Sequence, residues 1–94
     1  MMQFVLIIHE VEDFQKWKEG FDKAALIRKE AGEQTYQVLV DDDDPNKVIH
    51  FSIWKNHDLA KSFFESDEVK EIRKRLGVKQ PEFIYLNEIE NGTL

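Results

Sequence analysis

The chain contains no cysteine, no long apolar run and fewer basic than acidic residues. The missing cysteines exclude disulfide bonds, thiolate metal ligands and a thiol nucleophile. The longest apolar run, residues 4–8, is far shorter than the roughly 20 residues that a membrane-spanning helix needs. The first residues have neither a basic stretch nor a small-residue cleavage site, so we expect no secretory signal peptide. These features predict a cytoplasmic protein.

The charge balance argues against two classes of partner. The chain has 13 Lys and Arg residues against 19 Asp and Glu residues, a formal net charge of −6. A nucleic-acid-binding protein would need a basic surface, and so would a protein that docks on an anionic membrane. With 94 residues, of which 41% are hydrophobic and 12% aromatic, we expect a single folded domain spanning residues 1–94.

Apolar periodicity predicts four strands and three helices, with glycine and proline confined to their boundaries. The strands are expected at residues 3–10, 34–40, 47–54 and 82–90. The first helix is expected to begin after Asp13 and to end at Gly32. The second is capped by Asn56 or Asp58, and the third lies between Ser66 and Gly77. The four aspartates at 41–44 are contiguous and precede a proline, which predicts a solvated turn and not a calcium loop.

The order β-α-β-β-α-α-β predicts an α+β protein with a ferredoxin-like antiparallel sheet. In this topology the first and third strands lie in the centre, and all helices lie on one face. Both central strands are apolar on both faces: Phe4, Leu6 and Ile8 alternate with Val5 and Ile7, and the third strand has the same character. Since helices cover only one face, the other is expected to pack against a second copy in a homodimer. The alternative is a monomer with an uncovered apolar face.

Two histidines are the candidate catalytic residues. His9 ends the first strand and His50 lies in the third, and these strands are expected to be antiparallel neighbours. A pair of imidazoles in a pocket would serve as acid and base near neutral pH. The alternative is structural, with one histidine at the rim and the other bonded to backbone. No third residue has the spacing of a metal ligand, so we predict no metal site.

The chain is rich in aromatic residues, which predicts a flat apolar pocket for an aromatic or polyketide-like ligand. Arg73 lies on the inner edge of a helix and would offer a positive charge at the mouth of this pocket. The alternative is an ordinary aromatic core, with Arg73 extending to solvent. The candidate ligand-binding residues are Trp17, Phe21, Tyr36, Trp54, Phe63, Arg73 and Tyr85.

Two segments resemble the dimeric α+β barrel superfamily, and within it the small antibiotic-biosynthesis-monooxygenase-like and cyclase-like proteins. They are residues 11–21, VEDFQKWKEGF, and residues 51–56, FSIWKN, followed by Phe63, Phe64 and the Ser-Asp-Glu-Val of 66–69. The resemblance implies a dimer whose two sheets form a barrel, and a pocket between sheet and helices in each protomer. Activities in the superfamily include cofactor-free oxygenation of aromatic polyketides, haem degradation and isomerisation.

Haem degradation does not fit the residues of this chain. That branch uses an asparagine on the first strand, a tryptophan and a histidine, which correspond here to a position near His9, to Phe63 and to Arg73. An arginine does not ligate haem iron, so the resemblance implies no cofactor. Three functions remain open: a non-catalytic small-molecule-binding protein, a structural interaction module, and a cofactor-independent monooxygenase or isomerase/cyclase. In the last, His9 and His50 would move protons while Trp54, Tyr36 and Tyr85 position the substrate.

Overall fold

Residues 2–94, which the computed structural model describes, form one four-stranded antiparallel sheet and four helices. The sheet order is β2-β3-β1-β4, with β1 and β3 in the centre. This confirms the predicted α+β, ferredoxin-like fold. The elements are β1 (Gln3–Val11), α1 (Phe14–Lys23), α2 (Ala25–Ala31), β2 (Glu33–Val40), β3 (Lys47–Trp54), α3 (His57–Glu65), α4 (Asp67–Arg75) and β4 (Val78–Asn87).

The two central strands bury every second side chain beneath the helices. Val5 and Ile7 of β1 and Val48 and Trp54 of β3 are fully buried or nearly so. The residues between them point to the other face and are only half-buried. That face is apolar and is not covered by any element of the described chain; on the three strands β1, β3 and β4 it carries Phe4, Leu6, Ile8, Ile49, Phe51, Ile53, Ile84 and Leu86.

The single helix predicted between Asp13 and Gly32 is in fact two helices. The carboxylate of Asp13 accepts a hydrogen bond from the N–H of Gln15 and so caps α1. Ala24, with φ −87° and ψ 3°, ends α1 and begins α2. Gly32 ends α2 at φ +126°, a conformation that glycine adopts without strain;. No helix in residues 2–94 combines the length and the apolar character needed to span a bilayer.

The prediction that the last strand occupies residues 82–90 is wrong at both ends. β4 begins at Val78, before Pro81, and ends at Asn87. A proline is tolerated there because β4 is an edge strand, where a missing N–H costs least;. The pairing with β1 shifts between Ile8 and Glu10 at this point, and Gln80 has a positive φ of 38°. The chain therefore passes the proline through a bulge-like irregularity and resumes the ladder.

Two groups of buried side chains fill the space between sheet and helices. The first centres on Trp54, Phe64 and Val69, with Val5, Ile7 and Ala60. The second contains Val11, Trp17, Phe21 and Val48. Between the two groups the inner face of the sheet presents histidines in place of aliphatic residues, and this is where the cavity described below lies.

Candidate functional site

A cavity of about 60 Å³ lies between the sheet and helices α1, α2, α3 and α4. Its sheet wall is formed by His9 and His50. Aromatic and aliphatic side chains from both core groups, together with two arginines, form the rest of its lining: Trp17, Gly20, Phe21, Ala24, Ile27, Arg28, Phe63, Phe64, Val69, Ile72, Arg73 and Leu76. The cavity is therefore a mainly apolar space with four potentially charged side chains at its wall.

The register of β1 and β3 brings the two histidines to one place. His9 pairs with Val48, and Ile7 pairs with His50, so the imidazoles are diagonal neighbours on the helix-covered face;. His9 is 5% exposed and His50 is 2% exposed. The prediction placed these residues on neighbouring antiparallel strands, and the structure adds that both side chains line the same cavity.

His50 belongs to a buried chain of hydrogen-bonded polar side chains. Its Nε2–H donates to Oε2 of Glu33 at 2.6 Å. The other carboxylate oxygen of Glu33 accepts from Nε of Arg28, also at 2.6 Å. Arg28 donates in addition to the carbonyl of Phe21, and its guanidinium lies 3.6 Å from the centre of the Phe21 ring. The three side chains, those of Arg28, Glu33 and His50, are each at least nine-tenths buried.

The local fold explains how this chain of contacts forms. Arg28 lies in α2, and Gly32 turns the backbone so that Glu33, the first residue of β2, lies back beneath that helix. Because the carboxylate accepts from both partners, the hydrogen bond assigns the proton of His50 to Nε2. The nitrogen of His50 that remains available to a ligand is therefore Nδ1.

Burial and the two partners act in opposite directions on Glu33. Burial alone raises the pKa of its carboxyl, but the hydrogen bond and the electrostatic interaction with His50, and then those with Arg28, outweigh this effect. The net result is a pKa below the usual 4.5. Glu33 is therefore ionised at neutral pH and stabilises positive charge on either neighbour.

His9 differs from His50 in that it lies without a carboxylate partner. Burial, and then the proximity of His50 and Arg73, lowers the pKa of His9 from 6.5 to about 3. Its imidazole is therefore neutral at physiological pH. Nδ1 of His9 and Nη1 of Arg73 are buried, and neither has a hydrogen-bond partner among residues 2–94. Buried polar atoms without partners are uncommon and costly, so both are candidates to bind a ligand atom in the cavity.

Four of the seven predicted ligand-binding residues line this cavity, namely Trp17, Phe21, Phe63 and Arg73. The structure does not bring the other three to it. Tyr36 lies on β2 and is 52% exposed. Trp54 is buried in the core beside Phe64, and its Nε1–H donates to Ser52 Oγ at 2.9 Å. Tyr85 packs against His57 and lies 5.0 Å from the ammonium group of Lys61.

The sequence reasoning missed Arg28 and Glu33 as site residues. Arg28 falls on the apolar stripe of its helix, where a charged residue needs a buried partner. Glu33 directly follows the glycine that ends the same helix. A charged residue on an inner stripe, with an opposite charge just past the helix end, was the available signal. Within the described residues no cluster of three His, Asp or Glu side chains is close enough to hold a metal ion.

Solved structures of low sequence identity share this fold. A putative antibiotic biosynthesis monooxygenase from Bordetella bronchiseptica has a TM-score of 0.78 and 16% identity, over 95% of this chain and 98% of the other. SnoaB from Streptomyces nogalater, a cofactor-independent oxygenase, has a TM-score of 0.74 and 14% sequence identity, over 96% of this chain and 94% of SnoaB. A putative antibiotic biosynthesis monooxygenase from Caulobacter crescentus has a TM-score of 0.73 and 19% sequence identity, over 95% of this chain and 91% of the other. No functionally curated protein matches the sequence.

The fold and the cavity together define a small α+β protein whose sheet and helices enclose a small, mainly apolar cavity on one side. The model of the antibiotic biosynthesis monooxygenase family matches residues 9–75, which is more than half of the chain. The chain belongs to this family, in agreement with the resemblance in its sequence. Proteins of the family are generally dimeric.

Proposed function

We propose that the protein binds a hydroxylated aromatic small molecule with its reacting ring in the cavity, and oxidises it with dioxygen without a metal or organic cofactor. The observation that carries the proposal is the buried Arg28–Glu33–His50 chain, which ends at the cavity wall. Glu33 holds Nε2 of His50, so Nδ1 is left to accept a proton from the ligand. The carboxylate then stabilises the imidazolium that forms.

The remaining polar groups of the wall fit the negative charge that develops on the ligand. Once a phenolic or enolic proton has moved to His50, the ligand is an electron-rich anion. The unpartnered Nη1 of Arg73 is suited to bind its oxygen, as a charged donor in a mainly apolar space. Neutral His9 adds a hydrogen-bonding group without placing a further charge beside Arg73.

The oxidation needs no reductant beyond the ligand itself. The anion passes electrons to dioxygen, and a carbon–oxygen bond forms to give a peroxide at a ring methylene. Loss of water from the peroxide leaves a carbonyl. The methylene carbon and one molecule of O₂ become a carbonyl and one molecule of water, so atoms and electrons balance. SnoaB, which shares this fold, is described as a cofactor-independent oxygenase, and this supports the reaction class.

The test uses 1,8-dihydroxyanthrone, an aromatic compound with phenolic hydroxyls and an oxidisable methylene. We expect the wild type to accelerate oxygen uptake and quinone formation in equal amounts, after metals have been removed with chelator. His50→Gln should lower kcat by about 10²–10⁴-fold, the usual contribution of a general base. The matched control is His57→Gln, which removes a histidine outside the cavity. Equal rates for folded His50→Gln and wild type would contradict the proposal.

A second candidate function is non-catalytic binding, because the aromatic side chains of Trp17, Phe63 and Phe64 line the cavity and leave little room for a reaction beside the histidines. Ligand pockets usually measure about 300–1,000 Å³, whereas this space is about 60 Å³. In that case the anthrone would quench the fluorescence of Trp17 on binding, with no oxygen uptake above the uncatalysed rate. The oxygen electrode therefore separates the two functions.

We also propose that two copies pack through the uncovered sheet face. Phe4 and Phe51 stack there with their ring centres 5.1 Å apart, and their neighbours on β1 and β3 are aliphatic. An apolar patch of this kind is typical of a protein interface. Phe51→Asp should convert a dimer into a monomer in sedimentation, whereas Leu26→Asp, on the exposed surface of α2, should not. A monomeric wild type at micromolar concentration would contradict this assembly.

A further inference from the structure

We infer that the ligand has two parts: a compact reacting ring in the cavity, and a carboxylate-bearing arm in an outer groove lined by Lys16, Lys23 and Arg75. The inference rests on the proposed function and specifies its substrate class. Three features of the structure support the inference: the groove is continuous with the cavity, it is positively charged, and Leu76 lies against Gly20 where the two spaces meet.

The groove is the outward continuation of the cavity between α1–α2 and α4. It encloses about 400 Å³, compared with about 60 Å³ for the cavity. The two spaces share part of their lining, namely Gly20, Ala24, Ile27, Ile72 and Leu76. The cavity alone has room for the end of a ligand, and the groove has room for the rest. A molecule that reaches the histidines therefore extends into the groove.

The groove is positive on an otherwise acidic protein. Its charged lining residues are Lys16, Lys23 and Arg75 against Glu19, a balance of 3 − 1 = +2 where the whole chain carries −6. None of the three cations has a carboxylate within 4 Å among residues 2–94. By contrast Lys18, also on α1, lies 2.7 Å from Asp22. The free cations are placed to bind a negative group on the ligand.

Leu76 is one of the five residues that line both the cavity and the groove. Its side chain lies directly against Gly20 of α1, where an added Cβ would come within 2.4 Å of Leu76 Cδ2. The bare backbone at Gly20 thus lets Leu76 reach the boundary between the two spaces. A linker between the ring and the arm passes this contact, so Leu76 and Gly20 limit the width of the linker. The three cations of the groove select the charge of the arm.

The experiment measures binding without oxygen, so that no turnover interferes. The probes are a dihydroxyanthrone that bears a flexible arm ending in a carboxylate, the matching compound whose arm ends in a carboxamide, and the parent dihydroxyanthrone without an arm. We expect the wild type to bind the carboxylate about tenfold more tightly than the carboxamide, with a smaller ratio at high salt. The double variant Lys23→Gln, Arg75→Gln should bring the ratio close to one. Lys74→Gln, on α4 outside the groove, should leave it unchanged.

Each outcome separates this inference from the proposed function. Equal affinity of the wild type for carboxylate and carboxamide, or no binding of the carboxylate, overturns the inference. A preference that survives in the folded double variant also overturns it. Oxygen uptake with the parent compound tests the oxidation independently, because the parent has no arm. A charge preference without oxygen uptake would uphold the bipartite ligand and reject the oxidation.

Discussion

The dependence of stability on pH tests the assignment of His9 as a buried, neutral imidazole. Burial and the neighbouring His50 and Arg73 lower the pKa of His9 from 6.5 to about 3. Between these two pH values the unfolded chain binds a proton at this position and the folded chain does not. By linkage, the free energy of unfolding therefore rises with pH in this window and falls as the solution is acidified from pH 6.5 toward pH 3.

The size of the effect follows from the same linkage. Within the window each pH unit changes the free energy of unfolding by about 1.4 kcal/mol. Between pH 7.5 and pH 5.0 His9 alone should remove about 2 kcal/mol, a large part of the roughly 5–15 kcal/mol that stabilises a small domain. Glu33 acts at lower pH: its pKa is lowered from 4.5 in the folded state, so the stability it contributes is fully present above pH 4.5 and is lost as the pH falls from there through the lower folded pKa.

Urea unfolding at pH 7.5 and pH 5.0 measures the effect, at one fixed protein concentration because a dimer would make stability concentration-dependent. The wild type should lose about 2 kcal/mol more than His9→Gln between the two pH values. Val11→Ala is the matched control: it removes buried volume from the same face of β1 without removing a titratable group, so it should keep the wild-type difference. The reasoning is refuted if all three proteins lose the same free energy.

Three further predictions concern the groups that hold the site in place. Glu33→Gln should cost about 3 kcal/mol in urea unfolding, because it leaves the buried charge of its arginine partner unpaired, whereas exposed Glu30→Gln should change stability by under about 0.5 kcal/mol. Gly20→Ala should fail to give the gain of about 1 kcal/mol usual in a helix, because the new Cβ would displace Leu76; a full gain would show that Leu76 moves freely. Ser66→Ala should lower the melting temperature through a loss of about 1 kcal/mol, because the hydroxyl caps α4;, and an unchanged melting temperature would speak against the cap.

The sheet was predictable because its central strands carry their pattern locally. The apolar residues of β1 and β3 predict strands that are buried on both faces, and the order of elements then places both strands in the centre. Which of the two faces the helices cover was not predictable, because both faces are apolar. The break at Ala24 was not predictable, since alanine is the strongest helix former and the local sequence offers no glycine or proline at that position. The start of β4 was misplaced because Pro81 was interpreted as the boundary of the strand, although an edge strand such as β4 tolerates a proline;.

The site was predictable in part for the same reason. His9 and His50 are brought together by strand pairing, which the topology implies. The contact between Arg28 and Glu33 depends on how the chain turns at Gly32, and the contact between Glu33 and His50 depends on an irregular register at the start of β2. Trp54 shares the inner face with His50, but it lies farther along β3, in the other core group. The odd or even position of a residue along a strand indicates which residues share a face of the sheet with it. It does not indicate which cavity on that face the side chain reaches.

The cavity and the proposed interface lie on opposite faces of the same two strands, and this allows them to be studied separately. His50 points to the helices, while its sequence neighbours Ile49 and Phe51 point away from them. The site is built within one protomer, from contacts that do not involve the uncovered face. A monomeric Phe51→Asp variant that remains folded should therefore keep the acid sensitivity that His9 confers. If this sensitivity disappears together with the dimer, the strands do not hold the site unaided, and the second copy contributes to its geometry.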